Sequence, residues 1–318
     1  MKRKPLLFSV CYLTLLTMFT AWILLDQFVI VRTYSVDPPV TVAPVTEAPI
    51  GDEPITEELQ TEEPVPAETE PPFETVITDR SYICEEFSII ITEERYLQTT
   101  LYIAEVILTS PDQLKAAFAF NTYGRNVKDT VQNTAEAVNA VFAVNGDYYG
   151  YRKSGYVIRN GVLYRDSIYS PTQEALIIGY DGTLSSVYEK NVPAQQLLDE
   201  GAMHVLSFGP TLIQDGQILN NNLESRDKKA NPRCAVGMIE PLHYIFIVVN
   251  GRTSEDRGLT ALELARVFQK FGCSFAYNLD GGGSATMVFM GNVLNDPRSG
   301  KGEAKEREVS DIVYIGAP

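Results

Sequence analysis

The sequence predicts an α+β domain, with a mixed, largely antiparallel β-sheet core and a few packed helices, placed behind a membrane anchor and a disordered stalk. Three observations predict this order. An uncharged run of twenty residues lies near the N-terminus, a proline- and acid-rich segment follows it, and the remainder alternates short strand-like runs with only a few helical patterns.

The first element is Leu6 to Leu25, LLFSVCYLTLLTMFTAWILL, which carries no charge. At about 1.5 Å per residue such a helix spans about 30 Å, the thickness of a bilayer core. Lys2, Arg3 and Lys4 precede it and no base follows until Arg32. Positive charge on that side predicts a single-pass anchor with a cytoplasmic N-terminus and an extracellular domain. The run is longer than the core of a cleaved signal peptide, and no small-x-small site comes directly after it. Residues 1–34 are therefore read as cytoplasmic tip and anchor.

Residues 35–72 are read as the stalk. Its segment 37–72 holds nine prolines and ten acids and no Lys or Arg. It has too little apolar surface to offset its ordering entropy, and its charges repel one another.

Residues 73–318 form the predicted globular domain. The whole chain has a formal charge of −15, and without the stalk and anchor 30 acids face 22 bases, leaving −8. This excess of acid argues against nucleic acid as a partner and requires any anion site to be local. Strand-like runs include TTLYIAEVILT, VFAVNG, EALIIGY, CAVGMIE, LHYIFIVVN, FAYNL, ATMVFM and DIVYI, and the pairs Asn160-Gly161, Asp181-Gly182 and Asp215-Gly216 mark hairpins. Helices are predicted over Asp129–Val138, Ala194–Glu200 and Thr260–Phe271. The last has a Thr260-x-x-Glu263 capping box, an apolar face through Leu264, Phe268 and Phe271, and Gly272 as its stop. Strands without strict strand–helix alternation predict α+β rather than a wound parallel sheet. Cys11, Cys84, Cys234 and Cys273 lack zinc spacing, and two histidines cannot form a multi-histidine metal centre. Cys234 and Cys273 could pair only with Cα atoms within about 7 Å.

Chemistry concentrates in three polar clusters. AYNLDGGGSATMVF, residues 276–289, sets Gly281, Gly282 and Gly283 between Asp280 and Ser284 at the end of an apolar run. Consecutive glycine N–H groups can form an anion-binding nest, and a plain tight turn explains them equally well. No Lys-Ser/Thr pair follows, so this is not a P-loop. Asn145-Gly146-Asp147-Tyr148-Tyr149 ends a second apolar run, with Asp147 as a second carboxylate and tyrosines able to stack on a sugar. Arg233, Arg252 and Arg307 are candidate bidentate partners of a phosphate.

Together these residues resemble the phosphodiester glycosidase family. Asn278-Leu279-Asp280-Gly281-Gly282-Gly283-Ser284-Ala285-Thr286 is similar to its hallmark, and Asn145-Gly146-Asp147-Tyr148-Tyr149 to its Asn-Gly-x-aromatic-aromatic element. Gly155 to Gly161, Phe208 to Leu212 with Asp215-Gly216, Arg233 to Gly237, Arg257 to Ala265 and Arg307 to Ser310 follow in family order. Asp147 and Cys234 depart from the pattern, standing where the animal enzyme has glycine and where threonine is usual. The N-terminal anchor and stalk look bacterial. The resemblance implies hydrolysis of the sugar C1–O bond of a sugar-1-phosphodiester of the N-acetylglucosamine type, in a cell-surface glycan or teichoic-acid-like polymer. Asp280 is assigned to the sugar centre with Asp147 as partner. The glycine turn, Ser284, Arg233, Arg307, Arg252 and Asn145 are assigned to phosphate and substrate. Glu263 is a catalytic candidate by resemblance, although its capping box accounts for it. No cofactor is implied, and Asp147 with Asp280 leaves room for a divalent cation. The alternatives are a transferase that remodels exopolysaccharide or cell wall, and a non-catalytic module that binds anionic glycans.

Overall fold

Helix on sheet on sheet on helix is the stacking order of the computed structural model, which describes residues 12–22, 25, 32–33, 73–219, 223, 228–300 and 302–318. In chain order the principal elements are strands β1 (Phe87–Arg95), β2 (Thr100–Leu108) and β3 (Lys115–Phe118), helix α1 (Val131–Ala137), strands β4 (Ala140–Asn145), β5 (Val157–Arg159) and β6 (Glu174–Gly179), and helix α2 (Ala194–Asp199). They continue with β7 (Ala202–Leu206), β8 (Thr211–Gln214), β9 (Arg233–Glu240), β10 (His243–Val249), helix α3 (Ala261–Lys270), β11 (Phe275–Asn278), β12 (Met287–Phe289) and β13 (Asp311–Gly316).

The largest sheet has nine strands with the central order β8–β11–β9–β10–β2–β1. Two five-stranded sheets are ordered β12–β4–β13–β3 and β5–β7–β6, each completed by short edge strands. Every pairing in the three sheets is antiparallel. The α+β expectation with a largely antiparallel core therefore holds.

One core lies between the large sheet and the two smaller ones, joining Tyr102, Cys234, Phe246 and Tyr277 to Phe142, Val144, Met287, Leu206 and Val313. The opposite face of the large sheet, with Ile103, Ala235, Ile245 and Ile247, is covered by Leu264, Ala265 and Phe268 of α3. Burial on both faces explains why β2, β9 and β10 read as nearly continuous apolar runs. Complete burial of Leu264 and Phe268 contributes about 1.5–3 kcal/mol each. α1 packs through Val131 and Ala135 on Ala143, Val288 and Ile312, and α2 through Ala194 and Leu197 on Ile158, Ala175 and Val205. α3 begins at the predicted capping box and stops before Gly272.

Asn160-Gly161 and Asp215-Gly216 take positive φ at both residues, as two-residue hairpin turns require. His204 is buried between Asn160 N–H and the Leu114 carbonyl, and burial pulls it down to about 4, so it stays neutral. Cys84, Cys234 and Cys273 are buried free thiols, and the last two sit on opposite faces of the large sheet.

The stalk predicted over 35–72 lies outside the described residues, as does part of the predicted anchor. Residues 12–22 are helical and exposed, and among the described residues no helix is long and apolar enough to cross a membrane. Arg32–Thr33 pairs antiparallel with Gly124–Arg125 of the domain.

Candidate active site

Asp280 is the second residue beyond β11, where the chain leaves the large sheet. Its main chain is fixed from β4: Asn145 Nδ2 donates to the Asp280 carbonyl at 2.8 Å, and Asn145 Oδ1 accepts from Thr286 N–H at 3.2 Å. Asn145, wholly buried, thus ties both ends of the glycine turn to the neighbouring sheet. The Asp280 carboxylate accepts from Gly281 N–H at 2.9 Å. Burial pushes this carboxyl up to about 6, while the Ser284 hydroxyl, the Arg307 guanidinium and the Gly281 N–H pull it back. A group titrating there can exist as an acid or as a base near neutrality.

The turn itself is less open than three free glycines would be. Gly281 N–H is taken by Asp280 and Gly282 N–H by the Pro232 carbonyl at 2.8 Å. Ser284 N–H bonds back to Gly281. Among the described residues Gly283 N–H is the one glycine donor of the turn left for a ligand, so the predicted nest of three is a nest of one. The glycines have a second reason. Gly282 has φ +63°, and a Cβ there would stand 2.7 Å from Arg252 Nη2. A Cβ on Gly283 would stand 3.0 Å from Arg307 Nε. Two guanidinium groups therefore lie against the turn where side chains would otherwise be.

Arg307 Nη1 reaches Ser284 Oγ at 3.4 Å. Arg252 bonds the Arg298 carbonyl at 3.0 Å and sits at φ +66°, an unusual backbone for a side chain of this size. Burial and the nearby charge of Arg307 both pull its guanidinium down. Two cations this close are more stable with an anion between them.

An aromatic wall completes the site. Tyr148 is pushed up by burial and by the Asp280 charge, while Arg307 and Arg152 pull it down. Its ring stacks on Tyr151 at 4.4 Å between centroids. Arg152 lies over Tyr148, Tyr169 and Phe208, at 5.7, 4.3 and 5.5 Å from their centroids. Tyr149 points the other way, into a core with Phe118 and Tyr123. Tyr151 and Arg152 belong to no motif in the sequence, although the aromatic density of Tyr148 to Tyr151 is a usable signal.

Three predicted residues have side chains committed to other partners. Asp147 is 2% exposed and engaged on every side. Its carboxylate accepts from Tyr149 N–H and Ser207 N–H, both at 2.8 Å, and pairs with Arg159 at 3.1 Å. Arg159 also holds Asp311, at 2.8 Å through Nε and 2.6 Å through Nη2. Burial pushes Asp311 up to about 7 against the pull of Arg159. Gly146 is required here, because a Cβ would stand 2.4 Å from Asp311 Oδ1. Arg233 turns to the α3 side and donates to the Leu259 and Lys229 carbonyls, each at 2.9 Å. Glu263 caps α3 through Thr260 N–H at 2.9 Å and pairs with Arg257 at 2.6 Å. Asp147 is committed to Arg159, and its charge still acts on Asp280. Among the described residues no group of three or more His, Cys, Asp or Glu could hold a metal ion.

The arrangement pairs an anion site, made by Arg252, Arg307, Ser284 and Gly283 N–H, with one carboxylate and an aromatic surface. It can hold a phosphate beside a sugar ring and offer a base or nucleophile at the bond between them.

Comparison with known proteins points the same way. The profile of the phosphodiester glycosidase family matches residues 138–316. The SPbeta prophage-derived uncharacterized protein YomE of Bacillus subtilis is 30% identical over 204 residues, which cover 62% of this chain and 31% of YomE. N-acetylglucosamine-1-phosphodiester alpha-N-acetylglucosaminidase of Homo sapiens is 28% identical over 211 residues, 59% of this chain and 40% of that protein. The chain thus spans about a third to two-fifths of the curated relatives it matches. The catalytic domain of the zebrafish N-acetylglucosamine-1-phosphodiester alpha-N-acetylglucosaminidase superposes with a TM-score of 0.58 over 73% of this chain and 83% of that one, at 22% identity. That likeness is one of fold.

Proposed function

Because the chain belongs to the phosphodiester glycosidase family, we propose that it hydrolyses the C1–O bond of a sugar-1-phosphodiester of the N-acetylglucosamine type. The observation that carries this reading is Asp280, raised to about 6 by burial, beside a turn flanked by Arg252 and Arg307.

The sugar lies on Tyr148 with its anomeric carbon facing Asp280. The phosphate lies against the turn. As the C1–O bond breaks, its electron pair goes to the phosphate oxygen, where Arg252, Arg307 and Ser284 meet the growing charge. Asp280, ionised, stabilises the oxocarbenium-like centre or assists the water that adds hydroxyl to C1. A phosphate leaves readily, so the site needs charge stabilisation more than a strong acid at the leaving oxygen. Asn145 and the Arg159 cluster hold the framework and do not touch the reacting atoms.

We further propose that the substrate is part of a cell-surface glycan or a teichoic-acid-like polymer, and that the N-terminal helix holds the domain outside the cell membrane. The exposed apolar residues Leu13, Leu15, Leu16, Phe19 and Trp22 support that placement.

The test is release of N-acetylglucosamine from a methyl N-acetylglucosamine-1-phosphodiester by the purified protein. The expected result is sugar and methyl phosphate in equal amounts, with none from Asp280→Asn. Release by Asp280→Asn at the native rate would remove Asp280 from the chemistry. Absence of release from this ester and from UDP-N-acetylglucosamine alike would count against the hydrolase.

A further inference from the structure

A cavity of about 230 Å³ opens beside Arg307, lined by Lys128, Tyr151, Ser299, Lys305, Arg307 and Glu308. It is continuous with the site through two side chains. Arg307 reaches Ser284 on the glycine turn, and Tyr151 stacks on Tyr148 beside Asp280.

A phosphodiester has two ester arms. With the sugar arm at Asp280 and Tyr148 and the phosphate at Arg307, the other arm projects past Arg307 into this cavity. The charges there are not balanced in use. Glu306, which also lines it, faces the first N–H groups of α1, donated by Val131 and Gln132. Glu308 is paired with Lys128 at 3.6 Å, and Lys128 lies 5.6 Å from the Tyr151 ring centroid. Lys305 is exposed and makes no ion pair among the described residues. Glu306 is committed to α1 and Glu308 is shared with Lys128, so Lys305, next to Arg307 in the lining, is the cation left over for a ligand in the cavity.

We propose that this cavity is the leaving-group subsite and that it takes an alcohol carrying a further anionic group, such as a polyol phosphate, in preference to a neutral alcohol. The inference rests on the phosphodiester glycosidase reading above. It makes the product side a phosphorylated polyol bearing the newly freed phosphate, with water supplying hydroxyl to the sugar C1 and a proton to the departing phosphate.

The experiment compares kcat/KM for the methyl diester with that for a diester whose alcohol is glycerol phosphate, in the native protein and in Lys128→Ala/Lys305→Ala. The expected native ratio favours the glycerol phosphate ester by about tenfold or more, declines with added salt, and collapses toward one in the double variant. A native ratio near one, or one that survives the double substitution, overturns the proposal. If neither ester is cleaved, the reaction reading has failed, and calorimetry with glycerol 1,3-bisphosphate and methyl phosphate decides the subsite separately. Tighter binding of the bisphosphate by the native protein alone supports the anionic cavity. Equal affinity, or equal behaviour of the variant, sinks it. Thermal melting of the variant checks that both comparisons use folded protein.

Discussion

Asp280 and Asp147 each follow a buried apolar strand, and each carboxylate has an arginine in its surroundings. Their neighbourhoods then diverge. Around Asp147 the partners arrive from three places in the chain, Tyr149, Arg159 and Ser207, and together they engage both carboxylate oxygens. Around Asp280 Asn145 holds the main chain, while the carboxylate meets Gly281 N–H, the Ser284 hydroxyl and the charge of Arg307 but no directly paired arginine, and burial outweighs them. A buried charge paired with an arginine supports the framework. One whose burial outweighs its partners is the kind of group whose proton can move near neutrality.

The largest test of this contrast is Asp280→Asn. Turnover should fall by about a thousandfold or more, and the protein should become more stable. The rise of the carboxyl from its ordinary 3.8 to about 6 corresponds to about 3 kcal/mol. The native state binds more protons than the unfolded chain between those values, so stability falls as pH rises from about 4 to about 6. Asn removes that decline. Urea titrations at pH 4.5 and 7.5 read it, and a variant weaker than native at pH 7.5 would break the comparison.

Asp147→Ala should act in the opposite sense, costing about 3–5 kcal/mol because Arg159 and two backbone donors lose their partner. A variant of undiminished stability that has lost only kcat would move Asp147 into the chemistry. Next in size come Arg252→Ala and Arg307→Ala, each expected to lower kcat/KM by about ten- to a hundredfold through loss of a charge-assisted contact. Steady-state kinetics in which both leave kcat/KM intact would detach the anion site from the turn. The activity of the native protein should rise with pH through about 6, as Asp280 ionises. A flat profile from pH 5 to 7 contradicts Asp280 as the base or nucleophile. The smallest effect belongs to Glu263→Ala, about 1 kcal/mol of stability from the lost cap with kcat/KM unchanged.

Much of this framework is legible in the sequence. β2, β9 and β10 are buried on both faces and read as apolar runs, and α3 carries its own start and stop signals. The Asp280 turn is legible because Asp, three glycines and Ser are contiguous. The side-chain partners of Asp147 and Arg233 are not legible there, for one reason. What engages each is non-local: Arg159 and Ser207 for the first, the Leu259 carbonyl for the second. A sequence read locally shows that a charge is present, and only the fold shows what has already claimed it. Arg252 and Arg307, read as anion partners, do lie against the turn, though they take the place assigned to glycine N–H groups.

The position of β13 has a consequence for how such a chain is made. It lies between β3 and β4, pairing Asp311–Tyr314 with one and Ile312–Gly316 with the other. Its first residue, Asp311, is a ligand of Arg159, and Arg307 lies just upstream. A polypeptide emerging N-terminus first from the ribosome therefore holds the Asp280 turn long before it holds the strand that closes the sheet beside it. Until residue 316 is free, that sheet has an open seam down its middle and the arginine sites are incomplete. Synthesis and competence are separated in time, because the Asp280 turn is made before Arg307 and before the strand that closes the sheet.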